Sequence, residues 1–439
     1  MPAPPYDEAY DDSGRPRPHY AQLLDALGDP GELAARVRER LRGRGVTFGG
    51  SPDGLFTLDP VPRVLTSEEW SELQIGVAQR LRALDAFVAD VYGEGRAMSE
   101  GVVPRAVVES SPHYEPAMRG AAVSRWIAFA GLDVVRCPDG RFRVIEDQVR
   151  MPSGLAYAVV ARETLRGLFA VEPPRADLTL VYGELALALR DASPVPEPRM
   201  VLLTEGPGAA AWWEHSVLAR ELCASAVTLD DLELRDGRLV AWLDGRPRAV
   251  DVLYQRTAED RFSGTPLELL IEPCARGTLT VVNAPGSGVA DDKLVHPHVD
   301  ELVRFFLDEE PLLPSIRSVP AGEPDDLDEF VVKPRGEMGG QDVVIWRDAD
   351  ESTRRRMLAA IERDPNAFVA QELVTLSVHP TVCEGRLEPR HVDLRPYAVL
   401  SDDGVRALPG GLSRVALEAG SMVVNSGRGG GAKDTWVPA

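Results

Sequence analysis

The spacing of apolar and polar positions changes period several times along the chain, and each change predicts a different element. From residue 21 to 45, leucines and valines recur three and four apart among charges, predicting two helices broken at Gly28–Pro30. Ser67 opens Ser-Glu-Glu-Trp ahead of the periodic run SELQIGVAQRLRALDAFVADVYG. A polar N-cap before such a run predicts a helix of about six turns. The period then drops. WIAFAGLDVVR and RFRVIEDQVR are β-rich runs joined by Cys-Pro-Asp139-Gly140, a strong hairpin turn. Helical spacing resumes in LAYAVVARETLRGLF.

A proline-rich stretch at 192–199 marks a boundary, followed by a buried strand, a helix and a hairpin pattern, the order of a small α/β domain. A second break lies at 318–328, after which strands and glycine loops alternate. These breaks divide the chain into 1–20, a mobile tail that orders only if something packs on it; 21–195; 196–315; and 316–439.

Composition narrows the function. A 439-residue chain with 44% apolar and 27% charged residues folds as a soluble protein of two or three domains. Its net charge of −21 argues against nonspecific binding to nucleic acid or anionic membrane. No apolar run reaches transmembrane length, and the N-terminus lacks the apolar core of a signal peptide. Four cysteines, far apart and without a C-x-x-C pair, indicate neither a zinc site nor a disulfide framework, and fit a reducing cytoplasm. Only three of the 48 basic residues are lysine: Lys293, Lys333 and Lys433. In so arginine-biased a chain, a surviving lysine marks a place where a compact ammonium is needed. All three lie in glycine-rich or acidic loop sequence, which suggests phosphate binding.

Four groups of residues carry candidate chemistry. Glu146 and Gln148 share one face of a strand, and Asp133 on the partner strand can join them; oxygen ligands grouped so suit Mg²⁺ bridging nucleotide phosphates, or else form an exposed acidic hairpin. Lys333 precedes a glycine loop, Gly339-Gly340, that can fold over phosphates but lacks the P-loop pattern. The apolar strand ending Gln371-Glu372-Leu373-Val374 can read an adenine edge, or is plain core. Asp393, Arg395, Arg414, Asn425 and Arg428 can surround a transferring phosphoryl group, or are arginine-rich surface.

In sequence and order these motifs resemble the ATP-grasp superfamily with its parts permuted. The strand pair AGLDVVRCPDGRFRVIEDQVRMPSG, which ordinarily ends the catalytic half, here precedes the lysines, and placing 380–439 ahead of 124–154 restores the usual order. Through GVADDK, PRHVDLRPY, GGLSRVAL, MVVNSGRGGGAKDTW and EDQVRMPSG, the chain is similar to the circularly permuted, glutathionylspermidine-synthase-like ATP-grasp proteins of bacteria. The resemblance implies a mixed α/β, permuted ATP-grasp fold. In it, 21–195 carries the metal-binding half, 196–315 is a pre-ATP-grasp-like domain, and 316–439 holds the nucleotide lid and the remaining strands. It also implies roles. Lys293 and Lys333 reach the nucleotide phosphates, Gly339 and Gly340 cover them, and Gln371, Glu372, Leu373 and Val374 form the adenine hinge. Asp133, Glu146 and Gln148 hold Mg²⁺, with Gln148 standing where Asn is usual. Arg414, Asn425 and Arg428 line the reacting phosphoryl group. Apart from the resemblance, Arg150, Ser153, Asp393 and Arg395 are candidate substrate contacts, and Lys433, which has no clear role in the wider superfamily, is a candidate phosphate or substrate contact.

The activity so implied is ATP-dependent carboxylate–amine ligation through an acyl phosphate, on a small-molecule or peptide carboxylate and an amine. The alternatives are a nucleotide-binding protein without turnover and a phosphotransferase on the same fold.

Overall fold

The structure is a computed structural model that describes residues 4–49, 51, 53–171, 178, 180–257, 267–336, 342–424 and 429–437. The strands in chain order are β1 (Arg63–Val64), β2 (Phe129–Arg136), β3 (Phe142–Gln148), β4 (Met200–Leu203), β5 (Ser225–Val227), β6 (Leu232–Arg235), β7 (Arg238–Leu243), β8 (Arg246–Ala249), β9 (Val252–Gln255), β10 (Thr280–Val282), β11 (Ser318–Pro320), β12 (Phe330–Pro334), β13 (Val344–Ile345), β14 (Phe368–Glu372), β15 (Val378–Cys383), β16 (Arg386–Arg395), β17 (Tyr397–Ser401), β18 (Gly404–Ala407), β19 (Leu412–Val415) and β20 (Gly431–Trp436).

The central sheet joins distant parts of the chain. Its order is β1-β20-β19-β16-β2-β17-β18, with β3 beside β2 and β15 beside β16. Every residue of β2 is buried, as a strand covered on both faces must be. Phe129 packs in a core with the helices Pro18–Asp25, Pro30–Gly43, Leu155–Leu165 and Leu180–Asp191. Leu132 and Val134 pack in a second core with the helices Ser67–Tyr92 and Val299–Leu307. The long helix starts one residue earlier than its sequence suggests: Thr66 is the N-cap, and Thr66 and Glu69 form a reciprocal capping box.

Among the described residues, three smaller sheets accompany this body. The parallel sheet β10-β9-β4-β5 is one, the three-stranded meander β6-β7-β8 another. The antiparallel sheet β11-β14-β12-β13 has a core of its own, Phe330, Val332, Trp346 and Ala370 packed on Met357 and Ile361 of the helix Glu351–Arg363.

Residues 4–17, expected as a mobile tail, are packed instead. The Glu8 amide donates to the Val378 carbonyl and the Val378 amide to the Tyr6 carbonyl. The Glu8 carboxylate enters the protein interior, where Arg63 Nε donates to it at 2.8 Å and Ser377 Oγ at 2.6 Å. The acidic residues that looked like solvated tail thus include one half of a buried ion pair.

Candidate functional site

The β2–β3 hairpin sets the geometry of the site. Asp133 and Glu146 face each other in register, and the next pair is Val134 with Val144. Ile145 is therefore the extra residue of a β-bulge, and two consecutive residues, Ile145 and Glu146, turn toward one cavity. Their neighbours Val144 and Asp147 are buried on the other side, where Asp147 accepts two hydrogen bonds from Arg80, at 2.6 and 2.9 Å.

The cavity has a volume of about 150 Å³ and lies between the central sheet and the small antiparallel sheet. Part of the lining is charged: Asp133, Glu146, Lys293, Lys333, Glu372, Asp393 and Arg414. Part is apolar and includes Val331, Ile345, Leu373, Val374 and Met422–Val424. An apolar slot ending in a cluster of charge suits a ligand with a flat ring at one end and an anion at the other.

Within the charged part the residues hold one another. Arg395 grips Asp133 through Nε and Nη2 at 2.6 and 2.8 Å, and Arg414 Nη2 reaches the same carboxylate at 2.8 Å. Arg414 also donates to Asp393 through Nε at 3.0 Å. Burial would push the Asp133 carboxyl up, but Arg395 and Arg414 outweigh it and hold it at about 2. Burial does prevail at Asp393, which is raised despite Arg414. Lys293 Nζ lies 3.2 Å from Glu146, whose carboxyl is lowered against its own burial by that lysine first. Desolvation lowers the Lys333 ammonium to about 8, partly offset by Glu146.

Asp133, Glu146, Lys293, Lys333, Gln371, Glu372, Leu373, Val374, Asp393 and Arg414 all line this cavity. Gln148 shares the face of Glu146 but is not among the lining residues. Arg395 acts on the cavity through Asp133. The Ser153 carbonyl accepts from Arg395 Nη1 at 3.2 Å and from the Tyr397 hydroxyl at 2.9 Å. Arg150 is tied by its backbone amide to Asp291 at 3.1 Å. Gly339, Gly340, Asn425 and Arg428 lie outside the described residues.

Lys433 is elsewhere. On β20 it stands opposite Ser413, one position away from the Arg414–Ala432 pair, so it points to the other face of the sheet. It is fully buried, and its ammonium donates to Asp59, to the Val61 carbonyl at 3.3 Å and to the Pro380 carbonyl at 3.1 Å. It is a structural ion pair and not a phosphate or substrate contact.

Two features had no reading in the sequence. Arg335, just before the glycine loop, grips Asp292 through Nε at 2.8 and 3.0 Å, Ser110 Oγ at 2.9 Å and the Val107 carbonyl at 2.6 Å. It anchors the end of β12 to the residue preceding Lys293, so the two lysines share one frame. Asp291, next in that run, is pushed up to about 7 by burial, against Arg150. The Asp-Asp-Lys run was the available signal, but only the fold brings Arg335 to it.

The donor set fits Mg²⁺. Two carboxylates face each other in the lining, and Mg²⁺ in nucleotide sites takes one or two carboxylates plus phosphate oxygens. Among the described residues no group of three or more His, Cys, Asp or Glu forms an all-protein metal cage.

Residues 62–416 match the sequence family described as circularly permuted ATP-grasp type 2. The chain belongs to that family. The permutation is visible in the sheet, where β2, from the first third of the chain, lies between β16 and β17 from the last. A Frankia alni protein named "Putative glutamate--cysteine ligase 2-3" is 39% identical over 99% of this chain. A Frankia casuarinae protein named in the same series is 38% identical. The chain spans about half the length of these two relatives, 54% of each. An uncharacterized protein of Mycobacterium tuberculosis H37Rv is 36% identical over 99% of this chain and 84% of its own length. Among solved structures, a glutathione synthetase-like effector of Globodera pallida superposes with a TM-score of 0.62 at 13% identity, covering 93% of this chain and 98% of that one. At that identity the likeness speaks for the fold alone. No helix among the described residues is long and apolar enough to cross a membrane.

Proposed function

We propose that this chain is an ATP-dependent carboxylate–amine ligase. The observation that carries the reading is the cavity itself, which brings Lys293, Lys333, two facing carboxylates and Arg414 together with apolar side chains. The charged residues pair with one another, Asp133 with Arg395 and Arg414, Glu146 with Lys293. Lys293 and Arg414 would exchange those partners for phosphate oxygens, which would release the two carboxylates. Asp133 and Glu146 would hold Mg²⁺, which supplies charge neutralisation at the phosphates when bound.

Lys293 and Lys333 hold the phosphate oxygens, and the slot beside Leu373 and Val374 takes the adenine ring. A carboxylate oxygen of the acid attacks the terminal phosphorus of ATP, the bond to ADP breaks, and an acyl phosphate forms. The amine nitrogen then forms the C–N bond, the C–O bond to phosphate breaks, and the amine proton leaves to phosphate or solvent. Arg414 and the lysines stabilise charge on the transferring group, so catalysis is positioning and electrostatics, with no side-chain nucleophile.

Glutamate and cysteine, the pair in the Frankia relatives' names, are the first acid and amine to test. With acid, ATP and hydroxylamine in place of the amine, a hydroxamate should accumulate along with ADP, and Arg414→Ala should abolish it. A second reading, nucleotide binding without turnover, draws on the double arginine grip on Asp133 and the place of Gln148 outside the cavity lining. ATP binding with no ADP from a broad screen of acids and amines favours that reading. ADP with a persisting phosphorylated product and no hydroxamate marks a phosphotransferase.

A further inference from the structure

Gln371 stands at the head of the hinge, where an amide invites the reading that it recognises the adenine edge. Its hydrogen bonds leave no room for that. Gln371 is buried, and its Oε1 accepts from Lys333 Nζ at 2.6 Å. Its Nε2 donates to the Ile145 carbonyl at 3.0 Å and to Ser318 Oγ at 3.0 Å. A side-chain amide has two N–H donors, and both are spent. Reading adenine with an amide takes an acceptor and a donor from the same group. The orientation is fixed as well. Flipping the amide would turn two N–H groups onto an ammonium and its oxygen onto the Ile145 carbonyl, two repulsions in exchange for three bonds.

We infer that Gln371 is a positioning residue for Lys333, linking its ammonium to the β-bulge of β3. This rests on the reading of the cavity as the ATP site. Lysine is a flexible stem with a point charge, and something must select one of its many rotamers. Gln371 selects it relative to Ile145, the residue next to Glu146, so the phosphate-binding cation and the metal-side carboxylate are set in one frame. The three groups come from three strands, β12, β14 and β3, and two sheets. An oxygen accepting from the ammonium also favours its charged form against burial, which keeps Lys333 fit to meet a phosphate. The adenine ring is left to the apolar slot and the backbone beyond Glu372.

The test uses the full chain and Gln371→Met, which keeps length and loses every hydrogen bond. The first measurement needs no nucleotide: the rate of Lys333 acylation by a small amine-reactive ester, read by peptide mass spectrometry with Lys293 as internal reference. Loss of the acceptor should speed Lys333 labelling at least about threefold, the change in neutral amine for half a pKa unit. The second is nucleotide affinity. ATP should bind about tenfold more weakly to Gln371→Met, while adenosine affinity stays unchanged. Unchanged Lys333 labelling, or an adenosine loss equal to the ATP loss, overturns the inference. If the native chain binds no ATP, the ATP-site reading fails, and the labelling arm still decides whether Gln371 holds Lys333. Should Gln371→Met not fold, Ser318→Ala removes one of the amide's anchors. A smaller rise in Lys333 labelling then supports the inference, and no rise contradicts it.

Discussion

Two clusters of buried charge occupy opposite faces of the same sheet, and they differ in what they leave open. On one face, Lys433, Asp59, Arg63 and Glu8 are buried and paired, Lys433 with Asp59 and Arg63 with Glu8. Lys433 has three donors and three acceptors, and Arg63 places Nε on Glu8 and Nη1 on the Asp393 carbonyl. On the other, Lys293, Lys333, Asp133 and Glu146 face a cavity, with Lys293 beside Glu146 and with Arg395 and Arg414 on Asp133. Both clusters need lysine for the same reason, a compact ammonium where a guanidinium will not fit. Only the one beside open space can take a ligand. Scarcity of lysine in this chain therefore marks confinement, and a cavity is the second condition that turns confinement into a site.

The strongest way to break the contrast is to remove the closed cluster's cation. Lys433→Met leaves Asp59 as a buried carboxylate without its ammonium and should cost about 3–5 kcal/mol in denaturant unfolding. A loss under 1 kcal/mol would mean that this cluster is as adaptable as the cavity.

Asp291, beside the cavity, gives the next effect. Its carboxyl is raised to about 7 from an ordinary 3.8. The folded protein thus holds this proton more tightly than the unfolded chain. The stability it brings is full below pH about 4 and is lost as pH rises through about 7, on the order of 1–3 kcal/mol. Asp291→Asn should flatten the stability profile between about pH 4 and 7. An unchanged slope would place the titration elsewhere.

Lys333 sharpens the comparison from the open side. Its ammonium is lowered to about 8, so ATP affinity should fall as pH rises through 8, because the neutral amine no longer meets a phosphate. A flat affinity between pH 7 and 9 by calorimetry would show that Lys333 is not the group being titrated. The smallest effect concerns Gln148, which is outside the cavity lining. Gln148→Asn should change Mg²⁺ dependence by less than about threefold, within 0.7 kcal/mol. A larger gain would make Gln148 a strained ligand.

Much of this was legible before any coordinates. The hairpin around Asp139-Gly140 and the break at Gly28–Pro30 follow from local patterns, the permuted order of motifs follows from the resemblance to the ATP-grasp family, and the structure has them. Strand periodicity put Glu146 and Gln148 on one face, but a bulge adds Ile145 to the cavity side, and nothing in RFRVIEDQVR signals an extra residue. The partners of Lys433 explain another failure. Asp59 and Val61 come from one segment and Pro380 from another, both far from Lys433 in the chain, so its burial is invisible locally. The N-terminal segment is the same case: Glu8 reads as solvated tail until Arg63 and Ser377 are placed around it. Local sequence shows element type and residue chemistry; which charges are closed in and which stay open is a property of long-range packing.

The central claim is that the open cluster binds ATP and the closed one does not. Calorimetric titration of ATP with Mg²⁺ into native protein, Lys333→Met and Lys433→Met, each corrected for its folded fraction, tests it most directly. The account predicts at least tenfold weaker binding for Lys333→Met, about 1.4 kcal/mol, and native affinity per folded molecule for Lys433→Met. Native affinity in Lys333→Met, or a tenfold loss in folded Lys433→Met, would contradict it.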